Sequence, residues 1–309
     1  DRPVSWKRWS SVAIVLLALA WRLVWLDGKP PHFDEGVNGA FVDAMTRTGF
    51  YHYEPGNFHG PLHFYLLFVA QTLFGRHAWA LRLPVALIST GCVAMMLLFR
   101  PYFGRRACQL AALAMALSPG MVFYGRYAIH ESALMLFLLL TAWGTMGLWK
   151  SGERRFLWAA ALGITGAVLT KETYVVHLVA LLLTLPALFS LELFSKSAPL
   201  SFARRQWNPA DCSPIALVCG GLILFFYTGG FLDWSSLPGL WETFKLWFAT
   251  GHGAAPWHEK PWYYWLELLA RYEWPALLGL VAAILVVSPG RQRLTRALAI
   301  YGIGALTAY

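Results

Sequence analysis

Four short stretches of this sequence hold residue types able to move protons or grip anions, set in an otherwise apolar chain. The first is Pro30-Pro31-His32-Phe33-Asp34-Glu35-Gly36-Val37-Asn38. Ala40, Phe41, Ala44 and Met45 follow at helical spacing, which predicts a short amphipathic helix beginning at the acidic pair. Two readings of that pair stand side by side. Acids at a helix start suit the macrodipole and would be plain caps. Alternatively Asp34 is a general base at a dry boundary, where lost solvation raises a carboxylate's pKa and lets it take a proton from a hydroxyl.

The second stretch is Asn57-Phe58-His59-Gly60-Pro61-Leu62-His63. His59 and His63 lie four apart, a spacing fit for a metal on a helix face, for donors to phosphate or sugar oxygens, or for snorkelling side chains. No HExxH occurs, since His130-Glu131 and His258-Glu259 lack the second His, so an intramembrane zinc protease is set aside. The third stretch is Tyr124-Gly125-Arg126-Tyr127-Ala128-Ile129-His130-Glu131. In so tight a turn Arg126 either pairs with a nearby acid or binds a phosphate bidentately, with Tyr124 beside it and Glu131 orienting substrate or helping to hold a cation. The fourth is Leu169-Thr170-Lys171-Glu172-Thr173, either a phosphate-facing Lys171 with Glu172 at the substrate or a Lys171–Glu172 surface corner. A last polar loop, Gly251 to Tyr263, offers Trp and Tyr faces for sugar stacking or membrane anchoring, and Glu267 and Arg271 are spaced as a helix-surface pair.

The elements that must position these residues follow from composition. Of 309 residues 58% are hydrophobic and 13% charged, against roughly 25% charged in soluble domains, which excludes an ordinary cytosolic globule and a disordered chain. The fold class expected is an all-α integral membrane protein, one polytopic domain over 1–309. Candidate spans are 10–27, 78–99, 107–124, 131–149, 156–170, 173–194, 214–232 and 262–288, with a ninth from about 295. The 14-residue apolar run 61–74 is too short to cross and is expected to lie at the interface. Lys and Arg cluster in every second inter-span segment, 15 against 4 acids, while the other side has 9 against 12, Arg22 lying inside the first span. The positive-inside rule then makes the N-terminus cytoplasmic and puts the long loops 28–77 and 233–261, with all four stretches, on the outer face of the cytoplasmic membrane. The net charge of +9 is thus a topology signal, and no nucleic-acid partner is expected. The four cysteines are expected to form neither a disulfide framework nor a metal knuckle. The first residue is not Met and the last lies in an apolar run, so the sequence is read as part of a longer chain.

An outer-loop Asp-Glu pair, then Gly60-Pro61-Leu62, then Phe74-Gly75 and Arg82-Leu83-Pro84 resembles the polytopic GT-C glycosyltransferases, nearest to aminoarabinose and protein mannosyl transferases and a prokaryotic group called flippase activity-associated. The resemblance implies a polyprenyl-phosphate-linked sugar as donor, membrane lipid as partner, and transfer with inversion to a lipid, glycan or protein acceptor. It makes Asp34 the first-loop catalytic acid with Glu35 its partner, Glu131 the second-loop acid and Lys171 a phosphate-facing cation. Asp34 and Glu131 would be the holders of a Mg2+ or Mn2+ ion. His59 stands where aminoarabinose transferases have Lys, and no sequon-binding motif of oligosaccharyltransferases is present. The rival classes are a lipid-linked sugar flippase and a non-catalytic assembly subunit. Activity should fall below about pH 6 if the outer histidines must be neutral.

Overall fold

The computed structural model describes residues 6–57, 59–194, 203–249, 261, 263–286 and 293–308, and every regular element among them is helical. In chain order these are α1 (Trp6–Leu23), α2 (Phe33–Thr48), α3 (Leu62–Phe74), α4 (Ala78–Met96), α5 (Arg100–Phe103), α6 (Arg105–Leu117), α7 (Pro119–Tyr124), α8 (Glu131–Lys150), α9 (Arg154–Val168), α10 (Tyr174–Phe194), α11 (Cys212–Tyr227), α12 (Gly239–Ala249), α13 (Tyr264–Tyr272), α14 (Trp274–Val286) and α15 (Arg293–Ala308). The expected short helix at Asp34-Glu35 is α2, and the apolar run 61–74 is α3.

Two expected spans are each two helices. Ser118-Pro119 divides 107–124 into α6 and α7, because proline has no N–H to continue the ladder while the Ser118 hydroxyl accepts the Met121 N–H at 3.0 Å and starts a new helix. Pro275 divides 262–288 in the same way, leaving Glu273 non-helical between α13 and α14. Among the described residues, Ala78–Phe103, Glu131–Lys150, Tyr174–Leu191 and Pro209–Tyr227 are long and apolar enough to cross a membrane; Trp9–Leu23, Leu62–Phe74, Trp274–Ala283 and Thr295–Leu306 are shorter apolar helices. The loop expected over 233–261 contains α12, and the polar loop residues 250–260 lie outside the described residues.

Helix α4 is the hub, packing on α1, α3, α6 and α8, while α8 lies along α9 and α10 along α15. Arg22, the charge inside the first span, is fully buried and clamps these elements: Nε donates to Ser89 Oγ (2.7 Å) and the terminal nitrogens to the carbonyls of Ala18, Met115 and Ala116. The Met115 and Ala116 carbonyls belong to the last turn of α6, so that helix's dipole supplies the negative potential that a carboxylate would otherwise give.

The α8–α9 contact depends on small residues, as close helix crossings in membranes do. A Cβ on Gly144 would sit 2.8 Å from Phe156 O and Ala160 Cα, and one on Gly163 would sit 2.6 Å from Thr141 N, backbone atoms that cannot turn aside. Gly144→Ala and Gly163→Ala should each cost about 1–3 kcal/mol, read as a lowered thermal midpoint in detergent. Gly221→Ala, where a Cβ meets nothing within 4 Å, should leave it unchanged.

Candidate active site

The site is built on a carboxylate that does not face it. His32 caps α2 by accepting the Asp34 N–H on Nδ1 (3.4 Å), and Glu35 Oε2 accepts the His32 N–H (3.1 Å), completing a capping box. Glu35 is 1% exposed, and Arg82 of α4 grips it bidentately, Nε to Oε1 and Nη2 to Oε2 at 2.7 Å each. Arg82 also donates to the carbonyls of Leu26 and Lys29, and the Ala128 N–H donates to Glu35 Oε1 at 3.0 Å. Burial alone would raise the Glu35 pKa; the Arg82 hydrogen bonds, the N–H groups of Ala128 and His32, and the Arg82 charge together hold it below the usual carboxylate range. The expectation of Glu35 as a catalytic partner is therefore corrected: its oxygens are committed to Arg82 and two backbone amides. One residue earlier, Asp34 is a half-exposed side chain whose Oδ2 lies 3.6 Å from His32 Nδ1.

A second seat explains the Gly60-Pro61-Leu62 run. The Gly60 N–H donates to Thr170 O and the Leu62 N–H to Leu169 O, an approach so close that a Cβ on Gly60 would lie 2.7 Å from Thr170 N. This brings His59 against the turn after α9, where its Nδ1 meets Glu172 Oε2 at 2.9 Å. Lys171 turns the other way, onto Glu131 Oε1 at 2.6 Å. Of the two readings of this turn, the Lys171–Glu172 corner is not formed: two crossed pairs join the 171–172 turn to different segments. Three imidazoles pack in a row here with their planes tilted by 41–47°, His59 on His130 (4.3 Å between centroids) and His130 on His63 (4.1 Å), with His63 Nε2 on Ala128 O at 3.2 Å.

Two cavities flank the start of α2. The smaller, about 190 Å³, is polar and lined by Phe33, Asp34, Asn57, His59, His130 and Glu131 among others. The larger, about 1470 Å³, is mainly apolar; α7, α13 and α15 line it, and Lys29, Arg82, Tyr124 and Arg126 supply its polar edge. Hence Asp34, His59 and Glu131 come together, with Lys171 and Glu172 bound to two of them, whereas Tyr124 and Arg126 face the other cavity. Among the described residues Arg126 pairs with no acid: its terminal nitrogens donate to the carbonyls of Trp21, Val24 and Trp25 at 2.7–2.8 Å, capping α1. His63 lies 1% exposed behind His130, so it supports the cavity wall and does not line it. Asp34 and Glu131 share a cavity, yet among the described residues no three His, Cys, Asp or Glu side chains are gathered as a metal site, and Glu131 is held by Lys171. These two carboxylates could hold Mg2+ or Mn2+ only together with waters or substrate phosphate oxygens, the usual way such an ion is bound. Arg82, Lys29 and His130 were missing from the sequence-based site. An ionisable residue inside an apolar span was the available signal for Arg82.

Removing one partner of the buried pair leaves the other charge uncompensated. Glu35→Ala should lower stability by about 3–5 kcal/mol, seen as poor yield or a collapsed thermal midpoint, while Asp34→Asn should fold normally. A pH dependence follows from the imidazoles. Burial pushes His63 down to about 4 and His130 well below its ordinary value. The neutral forms are therefore favoured by folding, and the unfolded chain takes up protons first as pH falls through about 6.5. Stability should be full above that value and decline, by at most ~1.4 kcal/mol per pH unit per histidine, down to about pH 4. Thermal melts at pH 4.5, 5.5 and 7.5 in detergent check this, and a flat series would show that neither ring is buried neutral.

Residues 58–203 match the family model described as dolichyl-phosphate-mannose-protein mannosyltransferase. Two Bacillus subtilis proteins named, provisionally, as mannosyltransferases are similar: YkcB, 29% identical over 48% of this chain and 22% of that one, and YycA, 26% identical over 50% and 24%. The chain thus spans under a quarter of the length of those relatives. The fold matches ArnT from Cupriavidus metallidurans bound to undecaprenyl phosphate at a TM-score of 0.72 and 19% identity, covering 99% of this chain and 56% of that one. ArnT in the apo state matches at 0.54, covering 96% and 58%. The all-helical architecture implied by the resemblance first read from Asp34-Glu35, Gly60-Pro61-Leu62 and Arg82-Leu83-Pro84 is therefore the one this chain shares with ArnT, and four of the described helices are long and apolar enough to cross a membrane.

Proposed function

We propose that this chain is the membrane portion of a glycosyltransferase that moves a sugar from a polyprenyl-phosphate-linked donor to a lipid, glycan or protein acceptor, with inversion, at the outer face of the cytoplasmic membrane. One observation carries the reading: an apolar cavity of about 1470 Å³ and a polar one of about 190 Å³ lie at the entry to α2, Pro30, Pro31 and His32 lining the first and Phe33 and Asp34 the second. A polyprenyl chain needs the first and a sugar the second. The alternating basic loops support the outward orientation.

The chemistry follows from what each wall offers. The donor phosphate would lie at the polar edge of the large cavity, where Lys29 and Arg126 face the charge that grows on it as the glycosidic bond breaks. Arg126 keeps donors beyond those given to α1, so it can serve both. The acceptor hydroxyl gives its proton to the Asp34 carboxylate; its oxygen attacks the anomeric carbon from the face opposite the phosphate, and the bonding pair of the broken C–O bond leaves with the phosphate oxygen. Glu35 and Arg82 take no part in proton transfer but fix the peptide that presents Asp34. Lys171 and Glu172 are positioning groups for Glu131 and His59 in the small cavity.

Asp34→Asn should reduce transfer by about 10²–10⁴-fold with expression and melting unchanged, measured with a lipid-linked sugar donor in proteoliposomes. Unaltered transfer would remove Asp34 as base. Lipid scrambling in vesicles that survives the substitution, with no transfer in the parent protein, would favour a flippase.

A further inference from the structure

Glu273 is an acid set between apolar helices, and the proposed chemistry makes no use of its carboxylate. It follows α13, is non-helical (φ −133°, ψ 42°) and stands immediately before α14, whose second residue is Pro275. From there its side chain reaches the break between α6 and α7: Oε1 accepts the Ser118 hydroxyl at 2.7 Å and the Gly120 N–H at 2.5 Å. The Ser118 oxygen in turn accepts the Met121 N–H at 3.0 Å, so one carboxylate oxygen ends the chain of bonds that starts α7. A Cβ on Gly120 would lie 2.8 Å from that oxygen, and the missing side chain is what admits the carboxylate. Hydrogen bonds to an ionised acceptor are roughly twice as strong as neutral ones. An acid among apolar helices of a membrane protein is retained for a partner or a task.

This contact lies in the wall of the large cavity, which Glu273, Pro119 and Gly120 line. On one side α1, α4, α6 and α7 form a packed group. On the other α10, α13, α14 and α15 form a second, through α13–α14, α14–α15 and α10–α15. Among the described residues no helix of the second group packs broadly on one of the first, and the cavity of about 1470 Å³ lies between them. Walls held apart by open space gain little dispersion energy across it. Glu273 bridges the two groups. Its hold on α7 extends to the polar edge of the cavity, because α7 carries Phe123, whose ring lies 5.5 Å from Lys29 Nζ, and ends two residues before Arg126.

We infer that Glu273 is a positioning residue for the lipid-linked donor: by joining the α13–α14 break to the α6–α7 break it fixes the spacing of the two walls between which the polyprenyl chain lies and, through α7, the place of the cations that meet the phosphate. Naming the occupant rests on the proposed function; the tie between the walls rests on the hydrogen bonds. Glu273 touches no reacting atom. Its loss therefore removes pre-organisation that serves ground state and transition state alike, which raises KM and leaves kcat unchanged.

Binding of undecaprenyl phosphate to the detergent-purified chain and transfer from a lipid-linked sugar donor in proteoliposomes test this side by side. Two variants break the tie from opposite ends. Glu273→Ala removes the acceptor, and Gly120→Ala keeps the carboxylate but pushes it off the N–H. Each should weaken undecaprenyl phosphate binding and raise the donor KM about tenfold, with kcat unchanged. Glu273→Gln keeps an acceptor oxygen and should recover part of the loss. Because both loss variants cut the same contact, combining them should do no more than either alone, whereas unrelated structural damage would add. Melting curves identify the folded variants, and either folded loss variant carries the test. Unchanged binding and KM, a fall in kcat at constant KM, or additive losses would overturn the inference. A parent protein that binds undecaprenyl phosphate, less well in the variants, yet transfers no sugar would sink the proposed function and leave Glu273 as the tie that shapes a lipid site. Transfer whose donor KM is indifferent to both variants would do the reverse.

Discussion

The arrangement around both cavities hangs on the buried contact between Glu35 and Arg82. Desolvating two charges is expensive, and only good geometry with every remaining lone pair and proton satisfied offsets it. Here both conditions hold. The guanidinium forks onto both carboxylate oxygens and spends its other protons on the carbonyls of Leu26 and Lys29, while the carboxylate takes the amides of His32 and Ala128. Four separate segments are thereby fixed against one another: the 24–31 connection, the start of α2, the second turn of α4 and the turn before α8. Asp34 inherits its direction from this anchor. Consecutive helical residues point about 100° apart, so locking Glu35 inward turns Asp34 toward the cavity.

The fold was largely legible because hydrophobic run length and charge alternation both report on a bilayer, and they are properties of single segments. What failed was continuity. Ser118-Pro119 and Pro275 lie in runs apolar enough to pass as one span each; a proline alone does not end a helix, since α4 and α10 run through Pro84 and Pro186, and at 118–119 the Ser118 cap adds the start of a new one. The site was legible in its membership more than in its pairing. Asp34, His59, Glu131, Lys171 and Glu172 do gather, yet a sequence shows which charges are close along the chain, not across it. Lys171 and Glu172 looked like partners and instead reach to Glu131 and His59. Arg126 looked like an anion ligand or an acid's partner and is first a cap for α1. Glu35 shared its reading with Asp34 because adjacency in sequence says nothing of which neighbour the core will claim.

The crossed pairs also explain why so many ionisable groups fit in a small space. Each carboxylate near the polar cavity other than Asp34 is bound to a basic group from another segment, so repulsion among them is reduced and the segments are tied together at once. The buried rings of His63 and His130 behind them, held neutral by burial, add aromatic packing without charge. Gly60 makes the scheme possible, since only a residue without a side chain lets the 59–62 strand of chain lie on the carbonyls of Leu169 and Thr170.

In the turn just past α1, Trp25 has φ 49°, a backbone state bulky residues avoid, at a cost of order 1–2 kcal/mol. Its carbonyl and those of Trp21 and Val24 are held by Arg126. An anion drawing on the same guanidinium would loosen a spring already wound at the mouth of the large cavity. Occupancy there and the posture of the first helix's end are then two faces of one equilibrium, each able to bias the other.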